Sequence, residues 1–144
     1  MSEKLTPKAR DIMNERFNRD SLISLATVED GIPYVRTVNS YYQDGAFYII
    51  THALSNKMRQ IGKTPDTAIC GEWFTAHGKG ENLGYVLNKE NEEIMAKLRA
   101  AFASWYDNGH TNESDPNTCV LRINLTDGVL LSHGERFDID FTAE

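Results

Sequence analysis

Arg36, Ser55, Lys57 and Arg59 are the residues of this chain whose types and spacing could act together on one ligand. Arg36 stands in Val35-Arg36-Thr37-Val38-Asn39, where period-two alternation puts it on the same face as Val38, among β-branched neighbours that are normally half buried. An arginine so placed needs a partner. Ser55 suits the N-cap of a helix that begins Asn56-Lys57. Lys57 and Arg59 then fall in its first turn, where the macrodipole already supplies positive potential and acids would be the stabilising choice. Free N–H groups at a helix start, a serine hydroxyl, a lysine and a neighbouring strand's arginine together suit a phosphate. Taken singly, each cation could instead pair with one of the chain's 21 acids or stay solvated.

The elements that must hold these residues follow from local pattern. Thr6-Pro7 reads as N-cap and first position of a short helix, with Ala9, Ile12, Met13 and Phe17 on one face. Leu22 to Val28 reads as a strand, Glu29-Asp30-Gly31 as a hairpin turn, and Pro33 as an opening strand residue that need not donate to a ladder. Asp44-Gly45 joins the second strand to the third, Phe47 to Thr51. Thr64-Pro65-Asp66 ends the Ser55 helix before a strand over Thr67 to Phe74. The glycines of Ala76-His77-Gly78-Lys79-Gly80 read as a tight turn or bulge leading into a strand over Glu81 to Val86. Asn88 is placed to cap a long helix from Lys89 to Asp107. Its Ile94, Leu98, Ala101, Phe102 and Trp105 form an apolar stripe, with a Glu93–Lys97 pair on the wet side and Gly109 as the stop. After a polar loop from His110 to Asn117, Thr118 to Thr126 and Val129 to Ser132 form a hairpin around Asp127-Gly128. Arg136 to Phe141 adds or covers an edge.

Six or seven antiparallel strands at hairpin spacing are too many for one flat sheet of this size. A small mainly β barrel with flanking helices, closed so that its edges pair, is the expected architecture for a single domain over residues 1–144. No run approaches the length of a membrane span and Met1-Ser2-Glu3-Lys4 leads into no signal-peptide core, so a cytoplasmic protein is expected.

Other chemistries find little support. The glycine-rich stretch lacks the G-x-x-x-x-G-K-[ST] spacing of a phosphate-binding loop. His52, His77, His110 and His133 are scattered, without an H-x-x-x-H pair or a cysteine pair to complete a zinc site, so no metal is expected. Cys70 and Cys119 lie in apolar runs and read as buried core residues. A net charge of -6 without a basic stripe argues against a nucleic-acid surface. Trp105 and Tyr106, at the end of an apolar helical face, read as packing residues.

The order Leu25-Ala26-Thr27-Val28, Asp30-Gly31-x-Pro33, Val35-Arg36-Thr37-Val38, Asp44-Gly45, Tyr48-x-x-Thr51, Ser55-x-Lys57-x-x-Gln60-Ile61 resembles the pyridoxamine 5'-phosphate oxidase-like family of flavin-binding split barrels. The resemblance covers residues 22–70, and Thr64 departs from it where the family usually has asparagine before the proline. It implies FMN in a groove at a homodimer interface, its phosphate held by the arginine strand and the Ser-x-Lys helix start. Carried over residue by residue, the flavin contacts are Arg36, Thr37, Val38, Asn39, Ile50, Thr51, Ser55, Asn56 and Lys57, with Gln60 a weaker one.

The resemblance therefore implies an FMN-dependent oxidoreductase of unknown substrate. The alternatives are a flavin or tetrapyrrole protein that stores or senses its ligand without turnover, and a barrel without cofactor. A true pyridoxamine phosphate oxidase is not expected. That enzyme's R-x-H arrangement near the C-terminus is replaced here by Ser132-His133-Gly134-Glu135-Arg136, with the two residue types reversed and farther apart, and Phe141-Thr142-Ala143-Glu144 carries no basic segment.

Overall fold

The computed structural model describes residues 3–109 and 111–143; Met1, Ser2, His110 and Glu144, and what the sequence implied for them, lie outside the described residues. Eight strands and three α-helices follow in the order β1 (Glu3–Lys4), α1 (Pro7–Phe17), β2 (Ser21–Glu29), β3 (Ile32–Gln43), β4 (Ala46–His52), α2 (Asn56–Lys63), β5 (Asp66–Gly71), β6 (Phe74–Tyr85), α3 (Glu92–Ala101), β7 (Thr118–Ser132) and β8 (Glu135–Asp140). The sheet runs β7-β4-β3-β2-β5-β6 and closes through β6–β7, so six strands form a barrel, and β8 with β1 extends it beyond β7. The expected mainly β barrel with flanking helices is the observed fold.

Alternation builds the interior. Ile23, Leu25, Phe47, Ile49, Ile69, Phe74, Leu121 and Ile123 point inward, and α1 closes one end with Ala9, Met13 and Phe17, its Thr6 cap accepting from the Ala9 N–H at 3.2 Å. A second apolar cluster lies outside the barrel, where Val86, Met95, Leu98, Phe102 and Tyr106 cover Val120 and the outward faces of Tyr41, Tyr48 and Ile50. One side of the barrel is thus covered by α3 and the segment after it.

Several expectations are corrected. β5 ends at Gly71 and the chain turns at Glu72-Trp73, inside the stretch expected to be one strand. Trp73 takes φ 51°, a region that disfavours large side chains, while the Arg16 guanidinium holds the turn through the Glu72 and Leu131 carbonyls at 3.0 and 3.2 Å. Of the turn or bulge expected at the glycines that follow, the bulge is what forms. They lie within β6, where a bulge separates His77 from Gly78 and a Cβ on Gly78 or Gly80 would come within 2.7 Å of Ile123 or Ile61. Asp127-Gly128 makes no hairpin, and β7 runs through it because Gly128 makes room for Phe74 and Phe141. The turn falls at His133-Gly134.

The long helix is also shorter than expected: a 3-10 turn at Lys89–Asn91 leads into only ten residues of α3. Asn91, itself buried, ties the helix start to β6 by donating to the Leu83 and Tyr85 carbonyls. At the other end Trp105 donates to Asp20 and Tyr106 to Glu113, drawing the aromatics inward by turns instead of further helix. Lys97 donates to Gln43. Cys119 is buried as expected, but Cys70 is exposed: Thr67 and Ile69 point inward, so Ala68 and Cys70 must face out.

Candidate functional site

The barrel is split where the phosphate-suited residues lie. β3 pairs with β2 from Ile32 to Ser40, but with β4 only through Tyr41, Tyr42 and Gln43. Among the described residues no strand lies beside the other edge of β3 along residues 32–40, so alternate residues there present N–H and C=O groups that no strand pairs. β4 diverges from that edge toward Thr51, and α2 follows after a short turn.

Arg36 points from β3 to the inner side. Its Nη1 donates to Thr27 Oγ1 at 2.8 Å and to the Leu25 carbonyl at 3.3 Å, and Nη2 donates to Gln60 Oε1 at 3.2 Å. None of these acceptors is charged. Burial holds the guanidinium below the ordinary arginine range. Lys57, partly buried in the first turn of α2, donates to Thr51 Oγ1 at 2.6 Å. Burial first and the Arg36 guanidinium second hold its ammonium below the ordinary lysine range, with Cys119 opposing weakly. Two cations that repel each other are therefore held together in partial burial, and among the described residues neither has a carboxylate partner. Removing charge from water costs free energy that a neutral hydrogen bond only partly offsets, so the pair destabilises the ligand-free fold and creates demand for an anion.

Ser55 caps α2 as expected, its hydroxyl accepting from the Met58 N–H at 3.4 Å, and the first N–H groups of α2 lack intrahelical partners. The turn into the helix is fixed by His52, whose Nδ1 accepts from the Leu54 N–H at 3.2 Å while Nε2 meets Asp115 at 3.1 Å. Arg59 does not join the site: it is exposed and paired with Glu29 at 2.8 Å.

The expected contact residues divide between two faces. Arg36, Val38, Thr51, Ser55, Lys57 and Gln60 belong to the inner side of the split and to α2. Thr37, Asn39 and Ile50 alternate with them and point the other way; Ile50 packs on the α3 cluster and Asn39 donates to Asp20 at 2.9 Å, so toward the split they offer backbone alone. Asn56 is exposed and accepts from Arg59 at 3.3 Å. Gln60 is buried at 2% exposure, its Oε1 accepting from Thr27 and Arg36 and its Nε2 donating to Glu29, so it serves the site from behind. Thr27, also 2% exposed, was not singled out from sequence. A threonine at an inward position beside Leu25 was the available signal.

Four cations elsewhere are paired with acids. Lys79 pairs with Asp66, Arg99 with Glu113, Arg122 with Glu81 and Arg136 with Asp138. Among the described residues no helix is long and apolar enough to cross a membrane.

A model of the family described as pyridoxamine 5'-phosphate oxidase matches residues 9–131. No curated protein matches. Among solved structures the chain is similar to a NimC/NimA family protein from Clostridium acetobutylicum, with a TM-score of 0.66 and 20% identity over 90% of this chain and 92% of that one. It is also similar to an FAD-binding protein from Mesorhizobium loti, with a TM-score of 0.62 and 15% identity over 81% and 89% of the two chains. A heme binding protein from Mycobacterium smegmatis shares the fold with a TM-score of 0.62 and 16% identity, over 85% of this chain and 54% of that one. At these identities the structural matches speak for the fold, while the family match spans most of the chain. On the arginine strand, the Ser-x-Lys helix start and that match, this chain belongs to the pyridoxamine 5'-phosphate oxidase family.

Proposed function

We propose that the chain is an FMN-dependent oxidoreductase whose flavin phosphate is held by Arg36, Lys57 and the start of α2, at the interface of a homodimer. The observation that carries this is the pair of partly buried cations without a carboxylate partner. A phosphate monoester supplies the missing charge and several acceptors at once. The open edge of β3 offers backbone donors and acceptors suited to the polar edge of a flavin ring. When bound, the flavin supplies the electron chemistry, and this chain's residues supply affinity and orientation. Arg36, Thr51 and Lys57 are ligand-holding groups, with Gln60 behind Arg36, and none of the four is a carboxyl or imidazole suited to proton transfer near neutral pH.

The second copy fits the outer face of β2, β3, β5 and β6. By register Ala26, Val35, Ala68 and His77 form one row of that face, and Ser24, Thr37, Cys70 and Thr75 the next. It is flat and small-residued, with the His77–Asp127 pair only at its margin, and includes a shallow groove of about 440 Å³. Val35 is 70% exposed there, on the strand that carries Arg36. A neutral, self-matching face lets two chains of net charge -6 meet without bringing like charges together.

Purified protein should carry a flavin absorbance spectrum or acquire one with added FMN, bleach with NADH or NADPH, and recover with a second substrate. Light scattering should give twice the 16.3 kDa chain mass. A protein that takes up no FMN overturns the proposal. The fold shared with a heme binding protein favours, as second reading, a tetrapyrrole or flavin carrier without turnover. Bound flavin that resists both reductants, or a tight Soret-absorbing complex formed in preference to FMN, would support that reading.

A further inference from the structure

We infer that Thr27 and Gln60 are positioning residues that aim Arg36, and that through it they set the preference of the site for a phosphate-bearing ligand; this rests on the phosphate assignment above. The guanidinium has five N–H groups. Nη1 spends both of its hydrogens on Thr27 Oγ1 and the Leu25 carbonyl, at 2.8 and 3.3 Å, and Nη2 spends one on Gln60 Oε1 at 3.2 Å. Thr27 donates its own hydrogen to Gln60 Oε1 at 2.5 Å, so the two acceptors lie side by side against the Nη1–Nη2 end of the group. Nε–H and the outer Nη2–H are left over. These two lie on one side of the planar group and form the parallel fork that takes two oxygens of an oxyanion.

The clamp is itself fixed. Thr27 and Gln60 are each 2% exposed, and the Gln60 amide nitrogen donates to Glu29 at 3.5 Å, which sets which end of the amide faces the guanidinium. Glu29 is in turn held by Arg59 and Lys63. Every acceptor that touches Arg36 is thus neutral, and the nearest carboxylate on this path is one residue farther back and already paired. A glutamate at position 60 would neutralise Arg36 in place. Glutamine orients it and leaves its charge for the ligand.

The test measures FMN and riboflavin affinities, by quenching of flavin fluorescence, for wild type, Arg36→Ala, Thr27→Val, Thr27→Ser and Gln60→Glu, with thermal melting of each variant. Thr27→Val, which keeps the shape, should weaken FMN by about tenfold and leave riboflavin unchanged; Thr27→Ser should restore FMN. Gln60→Glu should cost FMN as much as Arg36→Ala does. Should Gln60→Glu fail to fold, the two Thr27 variants decide the matter. A wild-type FMN-to-riboflavin ratio in Thr27→Val, beside a collapsed ratio in Arg36→Ala, overturns the positioning role and leaves the phosphate site standing. Equal loss of both ligands in Thr27→Val also overturns it, as damage to the barrel. An unchanged ratio in Arg36→Ala removes the phosphate assignment and this inference together.

Discussion

The ammonium of Lys57 sits 2.6 Å from the Thr51 hydroxyl, and the charge that acts most strongly on it is a second cation, Arg36. Burial first and that cation second hold the folded-state pKa of Lys57 below its unfolded value. Its charged form destabilises the ligand-free fold at neutral pH, and the penalty fades as pH rises through the lowered pKa toward the ordinary lysine range.

An anion in the site reverses that sign. Inorganic phosphate should raise the melting temperature at neutral pH, and the gain should shrink at alkaline pH before ordinary lysines titrate. Lys57→Met should melt at least as high as wild type without phosphate and lose most of the phosphate-dependent gain. A phosphate-induced shift that is the same in wild type and Lys57→Met would remove Lys57 from the site.

Gly78 tests the barrel beneath the site. A Cβ there would lie 2.7 Å from Ile123 Cγ2 and 2.9 Å from the Asn124 carbonyl oxygen, and the backbone atom cannot step aside as a side chain can. Gly78→Ala should lower stability by about 1 to 3 kcal/mol in urea unfolding. Gly31→Ala, with nothing near its Cβ, should cost only the strain of its φ of 78°. An unchanged midpoint for Gly78→Ala would show that β6 and β7 are not so closely apposed.

The site and the barrel were legible in the sequence to different depths. Ser55, Lys57 and Arg36 could be found because capping, dipole and alternation are local rules, and each made its residue anomalous on its own segment. The part played by Thr27 and Gln60 was not legible: it depends on how β2 and α2 meet across 33 residues of sequence. A turn position failed where glycine serves close packing instead of a turn. Gly128 lies within a strand because Phe74 needs the space, whereas a real turn sits at Glu72-Trp73, where neither residue is a turn former. The inward phase of β5 was misread for Cys70, since a run of six residues with apolar groups on both faces fixes no phase by itself.

We infer that family membership does not extend to pyridoxamine phosphate oxidation. A phosphorylated substrate beside the flavin would need its own anion site, and Lys79, Arg99, Arg122 and Arg136 are each committed to an acid, Arg136 to both oxygens of Asp138. FMN-loaded protein should form no pyridoxal phosphate above background from pyridoxamine or pyridoxine phosphate in air. Turnover of about 1 per second or more would contradict this.

We propose that this chain recognises the phosphate of a flavin through Arg36 and Lys57. The most direct measurement is a pair of fluorescence titrations of the wild-type protein, one with FMN and one with riboflavin, at a single pH and salt concentration. Each charge-assisted hydrogen bond to the phosphate contributes about 1.5 to 3 kcal/mol, so FMN should bind tighter by about a hundredfold or more. Equal dissociation constants for the two ligands would contradict the account.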